Sequence, residues 1–177
     1  MNAIFARRSI RKFTEEPVTG EQLELLLRAG MAAPCAKNSQ NRLFFVQQGR
    51  GSLPTLIEVH PSAFALKTAP AAIVVCADLK RSAQVDYLND WWIQDCSAST
   101  ENILIQAAEL GLGTLWIGVH PDPKRIVAVQ KDLELPGHIV PLSAIALGHP
   151  DKVKEPNGRF DADKVFYGTY EVREPEK

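Results

Sequence analysis

The run Ala71-Ala72-Ile73-Val74-Val75-Cys76-Ala77 is the strongest indication of the fold, because every residue in it is apolar. A central strand covered on both faces has this composition, since neither of its sides meets water. A second long strand is predicted at residues 139–147, where Gly148-His149-Pro150 ends it. Shorter strands are predicted at residues 43–46 and 114–119, the latter as a strand or an extended loop. These segments are expected to form one sheet.

Four helical segments surround these strands in the sequence. Thr19 and Gln22 form a capping box, which predicts a helix that runs up to Pro34. A helical region punctuated by proline is predicted at residues 53–67, and Asp122-Pro123 opens a helix that ends near residue 130. The longest helix is predicted at residues 91–110, with Gly111 as its left-handed C-terminal residue. Its expected packing face is rich in small residues and consists of Ile93, Cys96, Ser97, Thr100, Leu104, Ala107 and Ala108.

The helices and strands are interspersed without regular β-α alternation, so the sequence predicts one α+β domain over residues 1–177. The part after Asp151 is polar, but it carries Val165, Phe166, Tyr167 and Tyr170. Such aromatic residues are costly to leave in water, so we expect this tail to cover the core or a partner subunit.

Composition excludes several classes of protein. The chain has 20 Lys+Arg and 21 Asp+Glu, a net charge of -1, which provides no general field for nucleic acid or an acidic membrane. No apolar run approaches the roughly 20 residues of a membrane span. An odd number of cysteines without C-x-x-C spacing (Cys35, Cys76 and Cys96) predicts neither disulfides nor a zinc site, and favours the cytoplasm.

No metal site is expected, because the histidines lie in segments rich in proline and glycine and none pairs with another ligand at helical spacing. These histidines are His60, His120, His138 and His149.

A local basic cluster, Arg7-Arg8-Ser9-Ile10-Arg11-Lys12-Phe13, stands out in this otherwise neutral chain. Guanidinium groups bind phosphate oxygens in pairs, so the cluster predicts an anionic partner. In an extended segment Arg7, Ser9 and Arg11 would point to one side, while Arg8 breaks the alternation. A solvated basic turn with surface ion pairs is the alternative. A docking arm for nucleic acid is disfavoured, because no aromatic residue interleaves with the charges before Phe13.

The sequence lacks the motifs of dinucleotide-binding folds, P-loop proteins and serine hydrolases. Gly111-x-Gly113 follows a helix and lacks the third glycine of a dinucleotide fingerprint. There is no P-loop lysine, and no serine has the context of a nucleophile elbow. A set of donors for an anion without a nucleophile suits a protein whose chemistry is carried by a bound organic cofactor.

Four motifs, in order along the chain, resemble the FMN-dependent nitroreductase family. The basic cluster resembles the opening motif of that family, and Pro34-Cys35-Ala36-Lys37-Asn38-Ser39-Gln40 is similar to its second flavin loop. Residues 101–118 resemble its N-x-x-L…G-L-G-x-x-W-I-G motif. Ala146-Leu147-Gly148-His149-Pro150 with the later Arg159 resembles its A-L-G-Y-P and late-arginine pattern. The resemblance implies a central, mostly antiparallel sheet flanked by helices, in an intertwined homodimer whose C-terminal tail reaches over the partner.

The resemblance also implies a set of FMN-binding residues. Residues for the phosphate and ribityl chain are Arg7, Arg8, Ser9, Arg11 and Arg159. Amides for the ring and ribityl hydroxyls, from the neighbouring subunit in the family, are Asn38 and Gln40. Residues that would pack on the ring are Pro34, Cys35 and Ala36.

The strand motif supplies the remaining positions. The backbone of Trp116, Ile117 and Gly118 would pass the flavin N5, and the Gly118 backbone would stabilise developing charge there. Lys67 matches a lysine near the N1 and O2 edge, although a surface lysine is an equal alternative. No side chain is expected to act as a nucleophile or obligatory acid.

Two departures bear on the site. Asn41-Arg42 replaces the usual Pro-Trp of the second loop, and Trp91-Trp92 adds aromatic bulk before the long helix. The expected activity is electron transfer from NADH or NADPH through FMN to a nitroaromatic, quinone or similar acceptor, by a ping-pong mechanism. The alternative is an FMN protein with a metabolite-specific oxidase or redox-sensing role that is not driven by NAD(P)H.

Overall fold

The computed structural model describes residues 2–83, 91–153, 155 and 158–170. Within them four strands form one sheet: β1 (Arg42–Gln48), β2 (Ala71–Asp78), β3 (Gly113–Gly118) and β4 (Ile139–Gly148). The order is β1-β2-β4-β3, and every neighbouring pair is antiparallel. β2 is therefore central, as the composition of residues 71–77 predicts, β4 is the other central strand, and β1 and β3 lie at the edges.

Among the same residues, five α-helices flank this sheet. They are α1 (Ala3–Ala6), α2 (Gly20–Met31), α3 (Pro54–Val59), α4 (Trp91–Glu109) and α5 (Pro123–Asp132). Short 3-10 helices cover Ala36–Asn38, Pro61–Lys67 and Ala162–Lys164. The predicted capping box at Thr19 is present, since the Thr19 side chain accepts from the Gln22 N–H and the Gln22 side chain accepts from the Thr19 N–H.

Each face of the sheet carries its own apolar core, because β2 and β4 alternate their side chains between the two faces. Val74 of β2 and Ile117 of β3 pack with α3, α5 and the 3-10 helix at residues 61–67. On the opposite face, Ile73 and Ile145 pack with α2 and α4. No helix in the described part of the chain is both long and apolar enough to cross a membrane.

The buried stripe of α4 differs from the predicted face. Ile93, Ser97 and Ala108 are half-buried. The stripe consists of Trp92, Asp95, Cys96, Ser99, Thr100, Ile103, Leu104 and Ala107. The prediction followed apolar and small residues, whereas Asp95 and Ser99 are buried because they bind polar groups of neighbouring segments.

The tail leaves its aromatic side chains exposed on this protomer. Phe160 is 87%, Tyr167 94% and Tyr170 75% exposed, and Phe166, whose ring contacts that of Tyr170, is 39% exposed. The tail therefore does not cover the core of its own chain over residues 158–170.

Candidate cofactor site

The basic cluster lines a cleft of about 660 Å³. We call it the basic cleft. Its walls are Ile4, Phe5, Arg7, Arg8, Ser9, Arg11, Gly158, Arg159 and Phe160. The structure thus brings Arg159 from the tail to the N-terminal arginines, and it places Arg8 in the same cleft despite the expected alternation. Arg8 joins them because the segment leaves α1 at Arg7, so the chain is not a regular strand there.

The four arginines differ in how they are held. The Arg7 Nε atom lies 3.5 Å from the Glu101 carboxylate of α4. The Arg8 Nε donates to the Glu155 carbonyl at 2.8 Å, and its Nη1 donates to the Arg7 carbonyl at 2.6 Å. Over the described residues, Arg8, Arg11 and Arg159 form no salt bridge, and the buried Arg8 Nη2 has no hydrogen-bond acceptor. The cleft therefore has cationic charge that the described carboxylates do not neutralise.

The basic segment is attached to the outer edge of β3. The Ile10 N–H donates to the Thr114 carbonyl at 2.8 Å, and Ser9 forms a parallel bridge with Thr114. Gly113 permits this approach, because a Cβ atom there would lie 2.8 Å from Ile10 Cγ1. The G-L-G motif thus has a physical role: Gly111 takes the left-handed φ of 72° after α4, and Gly113 admits Ile10.

The loop at residues 34–40 has an unusual backbone. Lys37, Asn38 and Gln40 all have positive φ, at 50°, 50° and 47°. The Gln40 side chain donates to Asn38 Oδ1 at 2.6 Å, and the Gln40 N–H donates to the Cys35 sulfur at 3.4 Å. Left-handed conformations are costly for residues with a Cβ, so contacts elsewhere must hold this loop.

The same loop lines a second cleft, of about 410 Å³, which we call the loop cleft. Its walls are Pro34, Cys35, Ala36, Trp91, Gln94, Asp95 and Ala98. The loop cleft and the basic cleft share no lining residue among those described. Of the predicted loop residues, Pro34, Cys35 and Ala36 line the loop cleft, while Asn38 and Gln40 line neither cleft. Within one protomer, the predicted cofactor ligands therefore do not form one continuous site.

A buried network of polar side chains hydrogen-bonds to the backbone at the start of the 34–40 loop. Asn41, Arg42, Asp95 and Ser99 are all at most 7% exposed. Arg42 Nη1 donates to the Ala33 carbonyl at 2.7 Å and to Ser99 Oγ at 3.0 Å, while Asp95 Oδ1 accepts from the Ala36 N–H at 2.8 Å. The sequence indicated only that Asn41-Arg42 departs from Pro-Trp. It did not predict a role for Asp95, because a carboxylate in an amphipathic helix is normally exposed.

The outer edge of β3 presents backbone N–H groups. Val119 N–H donates to the Leu142 carbonyl at 3.0 Å, and paired residues in an antiparallel ladder alternate between bonded and non-bonded. The N–H groups of Trp116 and Gly118 therefore point away from β4. Trp116 is half-buried against the α2 and α4 core, whereas Ile117 is fully buried on the other face. Ile117 pairs with Ala144, and the same alternation directs its N–H toward β4.

His60 and Arg125 converge on the end of β3. Arg125 Nη1 donates to the Gly118 carbonyl at 3.2 Å, and His60 also bonds to the Gly118 backbone. His60 Nδ1 accepts from the Ser62 N–H at 2.9 Å. Burial, with the positive charge of Arg125, lowers the pKa of His60. Neutral His60 therefore helps to hold the Gly118 peptide.

The remaining predicted residues lie apart. Lys67 is exposed at the end of the 3-10 helix Pro61–Lys67 and lines neither cleft. All three cysteines are free, and burial raises the pKa of Cys76 and raises that of Cys96 to about 12. Across the residues that the structure describes, no cluster of three or more His, Cys, Asp or Glu is placed to hold a metal ion.

Comparison with known proteins places this geometry in a family. A model described as "Nitroreductase family" matches residues 4–58 and 50–149. A protein of Archaeoglobus fulgidus, provisionally named NADH dehydrogenase/NAD(P)H nitroreductase, is 41% identical over 168 residues, which cover 93% of this chain and 95% of the relative.

Solved structures agree in fold. A crystal structure from Parabacteroides distasonis, with the same provisional name, is 38% identical with a TM-score of 0.87, and the match covers 95% of this chain and 96% of that one. The FMN-dependent nitroreductase of Clostridium difficile R20291 is 30% identical with a TM-score of 0.85, covering 96% and 99%. The predicted α+β fold is confirmed. From its matching family model, and from relatives that match along almost their whole length, this chain belongs to the nitroreductase family.

Proposed function

We propose that this protein is an NAD(P)H-dependent oxidoreductase that binds FMN, with the basic cleft as the site of the FMN phosphate. The observation that carries the proposal is a group of arginines around one cleft that have no carboxylate partner in the described chain: Arg8, Arg11 and Arg159. A dianionic phosphate supplies acceptors for these guanidinium groups. The names of the relatives, which mention NAD(P)H and FMN, support the same conclusion.

The residues present fit such a cofactor. The buried Arg8 Nη2 needs an acceptor, and Ser9 places a hydroxyl in the same wall. Gly118 would hold the ring edge by its outward N–H, and no described atom lies within 4 Å of a Cβ placed there, so the approach is open. When bound, FMN supplies a ring that takes a hydride from a reduced nicotinamide and passes electrons to an acceptor in a separate step.

The functional unit is a homodimer. The loop cleft and the basic cleft share no described residue in one protomer, so Asn38, Gln40 and the 34–36 segment would complete the site of the partner subunit. The exposed Phe5, Phe160 and Tyr167 are apolar surface that a second copy would cover. In this unit, the chain binds and orients the cofactor, and no side chain serves as a nucleophile. The acceptors in this proposal are nitroaromatics, quinones or similar oxidised compounds.

The phosphate assignment is tested by Arg7→Ala combined with Arg11→Ala. We expect the fold to be kept and FMN affinity to fall by at least about tenfold, since charged hydrogen bonds to phosphate are removed. Lys12→Ala is the matched control: it removes a cation from the same segment, but Lys12 pairs with Asp151 and is 74% exposed, outside the cleft. If the wild type and the double variant bind FMN with equal affinity, the basic cleft does not bind the FMN phosphate.

The activity is tested with purified protein after addition of FMN. We expect a yellow complex that bleaches when NADH or NADPH is added without oxygen. Bound flavin that neither nucleotide bleaches would instead support the metabolite-specific or redox-sensing role. A protein that binds no FMN would contradict the proposal.

A further inference from the structure

A buried polar set joins the 34–40 loop to β1 and α4. It consists of Asn41, Arg42 and Asp95, and we call it the loop anchor. These side chains are 0%, 7% and 4% exposed. Burying ionic and polar groups costs free energy unless they are hydrogen-bonded. In this set the buried Asn41 Oδ1 has no hydrogen-bond partner in the described part of the chain, whereas the Asn41 amide nitrogen, Arg42 and both Asp95 oxygens are bonded.

The bonds of the loop anchor converge on the start of the loop. Arg42 Nη1 donates to the carbonyls of Ala33 at 2.7 Å and Pro34 at 3.3 Å. Asp95 Oδ1 accepts from the Ala36 N–H at 2.8 Å. The peptide groups on both sides of Cys35 are thus held by two side chains of opposite charge.

The loop anchor is also bonded within itself and to its surroundings. Asn41 Nδ2 donates to Asp95 Oδ2 at 3.0 Å and to Ser82 Oγ at 3.1 Å, and Arg42 Nη1 donates to Ser99 Oγ at 3.0 Å. Arg42 Nη2 reaches Gln40 Oε1 at a long 3.4 Å. Asp95 therefore has donors on both oxygens, and the anchor touches both ends of the loop.

The loop needs such support because its own conformation is unfavourable. Lys37, Asn38 and Gln40 all have left-handed backbone, which costs about 1 kcal/mol or more at Lys37 and at Gln40 and less at Asn38, since asparagine adopts this region more readily. The loop also carries Cys35 and Ala36, which line the loop cleft next to Asp95 itself. The position of that cleft wall thus depends on the bonds of Asp95.

We infer that Asp95, with Asn41 and Arg42, positions the 34–40 loop for cofactor binding, in place of the Pro-Trp pair that the motif usually has here. Asn41 and Arg42 stand at those two positions, and both point inward, where they bond to α4 and to the loop backbone. This inference rests on the proposed function. Asp95, Asn41 and Arg42 are positioning residues and are not assigned contact with the cofactor.

The test swaps the two side chains of the Asn41–Asp95 hydrogen bond, first one at a time and then together. Asp95→Asn keeps an oxygen for the Ala36 N–H but turns an amide donor toward the Asn41 amide donor. Asn41→Asp places two carboxylates at this contact. Either change should weaken FMN binding by about tenfold, the effect of leaving one buried polar group unpaired. The double variant restores a donor opposite an acceptor and should recover most of the affinity.

Two measurements separate positioning from general stability. Hydrogen exchange of the apo protein should rise in the 33–40 segment in each single variant and return toward wild type in the double variant. Urea unfolding of the apo proteins checks that each variant is folded under the conditions in which loop exchange and FMN affinity are measured. Glu109→Gln, which removes a charge from an exposed position of the same helix, is the control and should leave both loop exchange and FMN affinity unchanged.

If a single variant does not fold, Arg42→Lys takes its place. Lysine keeps the charge, but its side chain is one bond shorter and carries a single donor nitrogen, so it loses the Nη2 contact with Gln40 and lies farther from Ala33, Pro34 and Ser99. FMN affinity should therefore fall and loop exchange should rise. Folded variants that bind FMN within about twofold of wild type would overturn the inference, as would a double variant no better than the singles. A wild-type protein that binds no FMN would contradict the proposed function itself.

Discussion

At the scale of the residue, the histidine beneath β3 gives the protein a specific acid sensitivity. Burial and the Arg125 charge lower the pKa of His60, so the unfolded chain binds a proton that the folded chain does not. The stabilising contribution is present above the ordinary histidine pKa of about 6.5 and is lost as the pH falls below it. Burial is the larger cause of the lowered pKa and the Arg125 charge is the second, while the hydrogen bond to the Gly118 backbone acts in the opposite direction.

We therefore expect the free energy of unfolding to decrease as the pH is lowered from about 7.5 to about 5.5, across the ordinary histidine pKa. His60→Gln should flatten this decrease, by at most about 1.4 kcal/mol per pH unit for one proton. Chemical unfolding at several pH values measures the slope. Identical slopes in wild type and variant would show that His60 does not contribute.

Cys35 should react with alkylating reagents faster than the other two cysteines do. Cys35 is partly exposed in the loop cleft, whereas Cys76 and Cys96 are fully buried with raised pKa values. Alkylation of the apo protein should modify Cys35 first, and Cys35→Ser should remove that rapid phase. Mass spectrometry identifies the modified peptide. FMN should slow the reaction at Cys35, and labelling at an unchanged rate would place Cys35 away from the cofactor.

Residue type alone was sufficient for some of the site and insufficient for the rest. The local cluster of cations indicated Arg7, Arg8 and Arg11 as candidates to bind an anion, while Arg159, far along the chain, was indicated only by the family resemblance. Asp95 was not, because a carboxylate within an amphipathic helix is normally exposed, and only the contact with Ala36 and Asn41 explains its burial.

At the scale of the element, the contact between the basic segment and β3 is the most sensitive. Gly113→Ala would bring a methyl group to 2.8 Å from Ile10 Cγ1 and 2.9 Å from Ile10 Cβ, which the branched side chain cannot avoid. The expected loss is about 1–3 kcal/mol of unfolding free energy, together with weaker FMN binding as the segment shifts.

Denaturant unfolding and flavin titration measure the two effects. Gly137→Ala is the control, because no described atom lies within 4 Å of a Cβ there, and its unfolding free energy should change by no more than about 0.5 kcal/mol. A stable Gly113→Ala protein with normal flavin affinity would mean that the segment is free to move without consequence.

The elements themselves were largely predictable, because their signals are local. The capping box at Thr19, the Asp122-Pro123 start of α5 and the left-handed Gly111 all occur as predicted. The predicted face of α4 was partly wrong, because polar residues enter the buried stripe where other segments satisfy them. Periodicity ranks residues by polarity and takes no account of such partners.

At the scale of the whole molecule, the separate clefts and exposed aromatic residues lead to a prediction of oligomeric state. We expect a mass of twice the 19.5 kDa chain in light scattering, since Phe5, Phe160 and Tyr167 are exposed on one protomer. Phe160→Ser combined with Tyr167→Ser should favour the single protomer and weaken FMN binding together. A monomeric variant that binds FMN with the affinity of the wild type would contradict the proposal that residues of two subunits form the FMN site.

Local patterns in the chain were enough to specify the class of fold, the central strands and the cationic cluster, because apolar runs, caps and charge are properties of neighbouring residues. Tertiary contacts were needed to show that Arg159 joins that cluster, that Gly113 admits Ile10, and that the loop cleft is separate from the basic cleft. The same holds for Asp95 and the loop it supports. These features depend on contacts between residues far apart in the chain, whose distances follow from how the two cores pack on the sheet.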